Sequence, residues 1–184
     1  MKTEKEILNL IIPPIKRADG KDREWHDTDE ILSKLSEKEL KIAEQGLIKM
    51  LKTTDDILIP QTLVKLKSKD SIPILIEKLK LITDPFHKIT WASLVYELKN
   101  DDEEMEEIAF EVFKNLQFKY EIEGCIFQDL IKFKSERIHN KIREYVNHKY
   151  SLVAHHAKLA LNYNGYSESH NKELKHKKWW KFWG

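Results

Sequence analysis

One cysteine, five glycines and five prolines in 184 residues rule out several ways of building a protein. A single thiol cannot close an internal disulfide. Cys125 lies beside Ile126 in an apolar stretch, so the expectation is a buried, inert side chain. Scarce glycine leaves little room for long loops. Charge of one sign is also lacking: the formal net charge is +1, although 34% of the residues are charged. That balance argues against extensive phosphate neutralisation, and nucleic acid is not an expected partner. No apolar run approaches the roughly 20 residues of a membrane span. Ile7 to Ile12 is short, stops at Pro13-Pro14 and lacks a small-residue cleavage pattern, so it does not read as a signal peptide. A cytoplasmic location is expected. Ile57 to Ile59 is too short to establish a strand, and no other stretch alternates as a strand would. A glycine-rich phosphate loop, HExxH, CxxC and GxSxG are all missing, so neither cofactor, metal nor enzymatic activity is expected.

What the chain does contain is a repeat. Leu35, Leu66, Leu98, Phe133 and Leu161 each close an amphipathic stretch before a polar turn, at intervals of roughly thirty residues. The stretches between them are clearer still. Ile72, Leu75, Ile76 and Leu79 follow i, i+3, i+4, i+7 spacing. Met105, Ile108, Ala109, Val112, Phe113 and Leu116 continue the same stripe, as do Ile138, Ile142, Tyr145 and Val146. This spacing puts apolar groups on one side of a 3.6-residue helix. The pattern predicts an all-α protein of about five antiparallel helix pairs stacked side by side.

Punctuation agrees with the period. Asp84-Pro85 reads as a helix start, as does Ser71-Ile72-Pro73. Thr3 with Glu6 and Ser36 with Glu39 have capping-box spacing. Pro60 should bend or shorten its helix, and Asn164-Gly165 should end the last one. Helices are expected near 3–12, 28–35, 37–52, 55–67, 71–81, 85–99, 102–116, 120–134, 136–148 and 150–163. Three regions result: 1–27 (a helix and a polar loop), 28–164 (the repeats) and 165–184 (a basic, tryptophan-rich tail).

The segment Asp70-Ser71-Ile72-Pro73-Ile74-Leu75-Ile76-Glu77-Lys78-Leu79 resembles the second helix of a HEAT or HEAT-like repeat of the phycobilisome-lyase type. Tyr150-Ser151-Leu152-Val153-Ala154-His155-His156-Ala157-Lys158-Leu159-Ala160-Leu161 is similar to the stretch where valine and alanines in those repeats let helices approach closely. The resemblance implies an α-solenoid whose curved inner face is lined by second helices and binds a protein partner. By analogy of fold, one such role is neutralising a toxin or regulating a neighbouring gene product. HEAT-like DNA glycosylases set a further, disfavoured expectation beside the rival one of a peripheral membrane protein anchored by the tail. They need a basic face with aromatic residues, whereas Trp91 shares its helix face with Leu94, Val95 and Leu98 and reads as core. Trp25 is the other tryptophan outside the tail. Nothing in the chain marks a bilin site.

Candidate contact residues lie beside or opposite the apolar stripes: Glu77, Glu104, Glu107, Glu111, Lys141 and Glu144. Residues 101–123 are rich in acids, with only Lys114 and Lys119 to offset them. Acids in the first turn of a helix stabilise its positive end. Glu107 and Glu111 continue beyond that turn, so the block reads either as a solvated face or as a patch for a basic partner. The tail Lys177-Lys178-Trp179-Trp180-Lys181-Phe182-Trp183 suits three roles: a cap on the last repeat, contact with an anionic membrane surface at the inner face, or a partner-binding peptide. Glu136-x-x-His139 and Glu173-x-x-His176 have di-iron spacing, but such bundles need two further inward-facing glutamates and the second motif lies in a lysine-rich tail, so chance spacing is the expectation. Of His155-His156, His156 is expected to face the core as a hydrogen-bonded histidine.

Overall fold

The structure is a computed structural model that describes residues 2–13 and 27–163. Among these residues it contains ten α-helices and no strand. The helices are α1 (Glu4–Ile11), α2 (Thr28–Ser33), α3 (Glu37–Leu51), α4 (Leu58–Lys65), α5 (Ile72–Leu81), α6 (Pro85–Lys99), α7 (Glu103–Lys114), α8 (Phe127–Leu130), α9 (Glu136–Arg143) and α10 (Ser151–Tyr163). Short 3₁₀ turns at Lys69–Ser71 and Glu121–Ile126 lead into α5 and α8. The expected stop at Asn164-Gly165 lies outside the described residues, as do Trp25, the Glu173–His176 pair and the tail from 165 to 184.

Side-chain caps account for half of the helix starts. Thr3 and Glu6 close a capping box on α1, and Ser36 and Glu39 close one on α3. The Glu39 carboxylate accepts from the Ser36 amide and hydroxyl and from the Lys2 amide, which also ties the start of α1 to α3. Those bonds favour the charged form and hold its pKa down at about 2. Asp27, Asp84 and Asp102 cap α2, α6 and α7. Ser71 departs from expectation. It caps nothing, and its hydroxyl donates to the Ser68 carbonyl within the 3₁₀ turn. Pro60 sits in the first turn of α4, where its missing N–H would have had no helical partner anyway. The expected helix over 55–67 is correspondingly short.

One hydrophobic core runs from Ile7 in α1 to Ala160 in α10. The main contacts join helices that are neighbours or next-neighbours in the chain: α1 with α2 and α3, α4 with α6, α6 with α7 and α8, and α8 and α9 with α10. Trp91 is 3% exposed and lies in this core, as its helix face predicted. Polar bonds follow the same order. Lys65 meets Asp29 at 2.9 Å, Lys69 caps the carbonyl of Leu98 at the end of α6, and Thr90 donates to Asp129 at 2.7 Å.

Two expected helices are cut short by tertiary packing. Residues 120–134 form the 3₁₀ turn and the four-residue α8. At Gly124 a Cβ would stand 2.9 Å from the Cα of Val153, so this turn lies backbone to backbone against α10. The helix expected to reach 148 ends at Arg143. Beyond it, the Tyr145 ring packs on Phe113, Phe118 and Phe127 with centroids 5.6, 5.1 and 5.5 Å away. Aromatic packing of this kind outweighs the modest preference for another helical turn.

Candidate functional site

Helices α5, α6 and α7 alternate in direction. The end of α5, the start of α6 and the end of α7 therefore share one rim of the molecule. Two grooves open there and meet at Asp84. The first, of 790 Å³, lies between the ends of α3 and α5 and the start of α6. Its walls include Lys52, Ile74, Glu77 and Leu81, and Trp91 is at its base. The second, of 650 Å³, lies between α6 and α7 and is lined by Phe86, Glu111, Val112 and Tyr120.

Leu81 is 79% exposed and Tyr120 is 68% exposed. Both placements follow from local structure. In α5, Leu75 and Leu79 take the buried stripe, and Leu81, two residues on, turns outward at the helix end. Tyr120 precedes the 3₁₀ turn, where the Glu123 carboxylate accepts from the amides of Lys119 (2.5 Å) and Tyr120 (3.0 Å). The rim's charges are mostly committed. Lys78 donates to the Thr54 carbonyl at 2.9 Å and to Asp55 at 2.5 Å, fastening α5 to the α3–α4 loop. Asp84 holds the His87 amide, and Glu111 pairs with Lys114 at 2.5 Å.

The six charged residues expected to contact a partner do not form one face. Glu77 and Glu111 line the rim grooves. Glu104 is exposed on α7. Glu107 pairs with Arg137 at 2.6 Å, and Lys141 pairs with Glu144 at 2.6 Å. Glu106, in the acidic block but not among those six, accepts from Ser135 at 2.7 Å and from Arg137 at 2.9 Å. Arg137 also lies 4.6 Å over the Phe110 ring. Part of the acidic block thus fastens α9 to α7. Hydrogen bonds from Arg137 to Glu107 and Glu106 hold the guanidinium pKa above its ordinary value.

The opposite edge is closed by a buried tyrosine. Tyr96, 3% exposed, donates its hydroxyl to Asp101 at 2.7 Å and accepts from the Lys134 amide at 3.2 Å. Its ring sits 4.8 Å from that of Phe133. Burial, more than the neighbouring Asp101, raises the phenol pKa. The hydroxyl steadies the α6–α7 turn, where Asn100 (φ 58) and Asp101 (φ 88) both adopt left-handed backbone.

The groups most suggestive of chemistry are otherwise engaged. Glu136 pairs with Arg143 at 2.9 Å, and Nε2 of His139 lies 3.0 Å from the Phe133 carbonyl. Among the described residues no three His, Cys, Asp or Glu side chains are placed to hold a metal ion. Cys125 corrects the expectation of a buried thiol, because the residue is exposed. It sits in a 3₁₀ turn rather than on a helix face, and its Sγ lies 3.7 Å from Nε2 of His156. Burial on that side pushes the thiol pKa up and the imidazole pKa down, so the pair is neutral and not a thiolate–imidazolium nucleophile. His156 does turn inward, but its Nδ1 is buried without a hydrogen-bond partner, contrary to the bonded core histidine expected. No protein-family model, curated protein or solved structure matches the chain. No described helix is long and apolar enough to cross a membrane.

Proposed function

We propose that this chain is a small α-solenoid of HEAT-like helix pairs that recognises another protein through the rim between α5, α6 and α7. The carrying observation is Leu81 and Tyr120, two large apolar side chains held out beside grooves that meet at Asp84. Exposed apolar residues rimmed by polar ones favour protein contact. Sequential helix contacts and one continuous core support the stacked arrangement. A surface held this firmly before contact loses little conformational entropy on binding. Glu77 and Glu111 lie where they would flank the partner. The test is quantitative affinity purification from the native host with tagged full-length chain and a Leu81→Lys/Tyr120→Glu form of equal thermal stability. Proteins enriched by the first should be lost with the second. Equal recovery of the same proteins by both forms rejects the rim.

The Lys177–Trp183 segment, outside the described residues, supports a second reading as a peripheral membrane anchor. Its amines and indoles suit an anionic headgroup layer. Co-sedimentation with anionic vesicles should fall when Trp179, Trp180 and Trp183 are changed to serine. Unchanged binding discards this reading.

A further inference from the structure

The seam between α10 and the Glu121–Ile126 turn is the tightest backbone approach at any described glycine outside reach of a flexible side chain. At Gly124 an added Cβ would meet the Val153 Cα at 2.9 Å and the His156 ring at 3.3 Å. His156 is therefore clamped in the seam. One ring nitrogen, Nε2, looks toward Cys125 Sγ at 3.7 Å, and the other, Nδ1, is buried with no partner. With its proton on Nε2, the neutral ring places only a bare lone pair in the seam. Protonation would add an N–H there with no acceptor, and a charge with no counter-ion, among the described residues, both costly when buried.

We propose that His156 makes the seating of α10 sensitive to acid: the neutral ring lets the helix lie against the turn, and the protonated ring drives it off, baring Val153, Ala157 and Ala160 together with the apolar surface they cover. Those three residues are fully buried when α10 is seated.

Among the described residues, neighbouring charges do not rescue the protonated ring. From the turn, Cys125 is neutral and Glu123 is held by the amides of Lys119 and Tyr120. From α8, Asp129 is committed to Thr90, Ser93 and Lys132. From α9, His139 rests on the Phe133 carbonyl, while Glu136 pairs with Arg143 and Lys141 with Glu144. On α10 itself, the His155 ring is 5.9 Å away and works against protonation of His156. Burial first, and His155 second, hold the seated His156 pKa below the 6.5 of a free imidazole. The unseated form then binds more protons, so seating is fully favoured above pH 6.5 and weakens as pH falls through the seated value.

This device is independent of what the rim binds, and hydrogen exchange on the full chain tests it. Amides of 153–162 are compared with those of α6 in the same molecule, after correction for intrinsic rates, at about pH 7.5 and about pH 5.5. Relative protection of α10 should fall by about tenfold on acidification and stay level in His156→Gln. A level ratio in the unaltered chain, or the same acid loss in His156→Gln, overturns the proposal. Should His156→Gln already loosen α10 at neutral pH, NMR titration of the His156 ring in the native chain decides. A midpoint below 6.5 upholds the device, and one at or above 6.5 overturns it.

Discussion

The two edges of the helix array are built by opposite rules. At the edge holding the α6–α7 and α8–α9 turns, polar groups are stitched together: Tyr96 to Asp101 and Lys134, and Glu106 to Ser135 and Arg137. At the rim holding the α5–α6 turn, apolar Leu81 and Tyr120 face solvent beside open grooves. The first edge ties the molecule's own parts together, and the second leaves apolar side chains uncovered. The contrast teaches that, in this chain, a dense run of charge is partly used up in internal ties, whereas an apolar residue out of step with its stripe stays uncovered.

The largest effect should come from the core beneath both edges. Phe113→Ala removes a fully buried ring stacked on Tyr145 and should lower unfolding free energy by about 3–5 kcal/mol in denaturant titration. Tyr96→Phe deletes one hydroxyl from the stitched edge and strands the Lys134 amide. A loss of about 1–3 kcal/mol is expected by the same measurement, and a value near zero would mean that edge is not held together by this bond. Glu106→Gln weakens the tie to Arg137, which is partly open to solvent, and should lower stability by about 1 kcal/mol, less at high salt. Leu81→Lys with Tyr120→Glu should change stability by no more than about 0.5 kcal/mol per site while abolishing partner recovery. A large stability loss there would erase the contrast between the edges.

Helix number, order and most starts were legible because they rest on local rules. The stripes at Ile72–Leu79 and Met105–Leu116, the Asp84 cap and the two capping boxes all reappear in the structure. What escaped was non-local. Gly124 permits a contact with Val153, far along the chain, and Tyr145 ends α9 early by joining rings from three other segments. The residues chosen as contacts divide by their surroundings. Glu77 and Glu111 were chosen and do line the rim grooves, but Glu107 and Lys141 are occupied by Arg137 and Glu144. A pattern of charges along one helix could not say that α9 would claim Glu107, whereas Lys141 and Glu144 pair within their own segment at i, i+3 spacing. Leu81 carried a readable signal, since it falls outside the i, i+3, i+4 series of its own helix. Tyr120, in a loop between Lys119 and Glu121, carried a fainter one.

Lysine occupies a bend that usually goes to glycine. Lys67 closes α4 at φ 55, with its own amide on the Val64 carbonyl and the Ser68 amide on that of Leu63, each at 2.9 Å. Backbone of that hand strains any residue with a β-carbon by about 1–2 kcal/mol. The hairpin is therefore shaped by its hydrogen bonds in spite of the residue at its corner. Lys67→Gly should raise the melting temperature without moving an atom of the rim, a reserve of robustness that an engineer could draw on before altering any surface the protein uses.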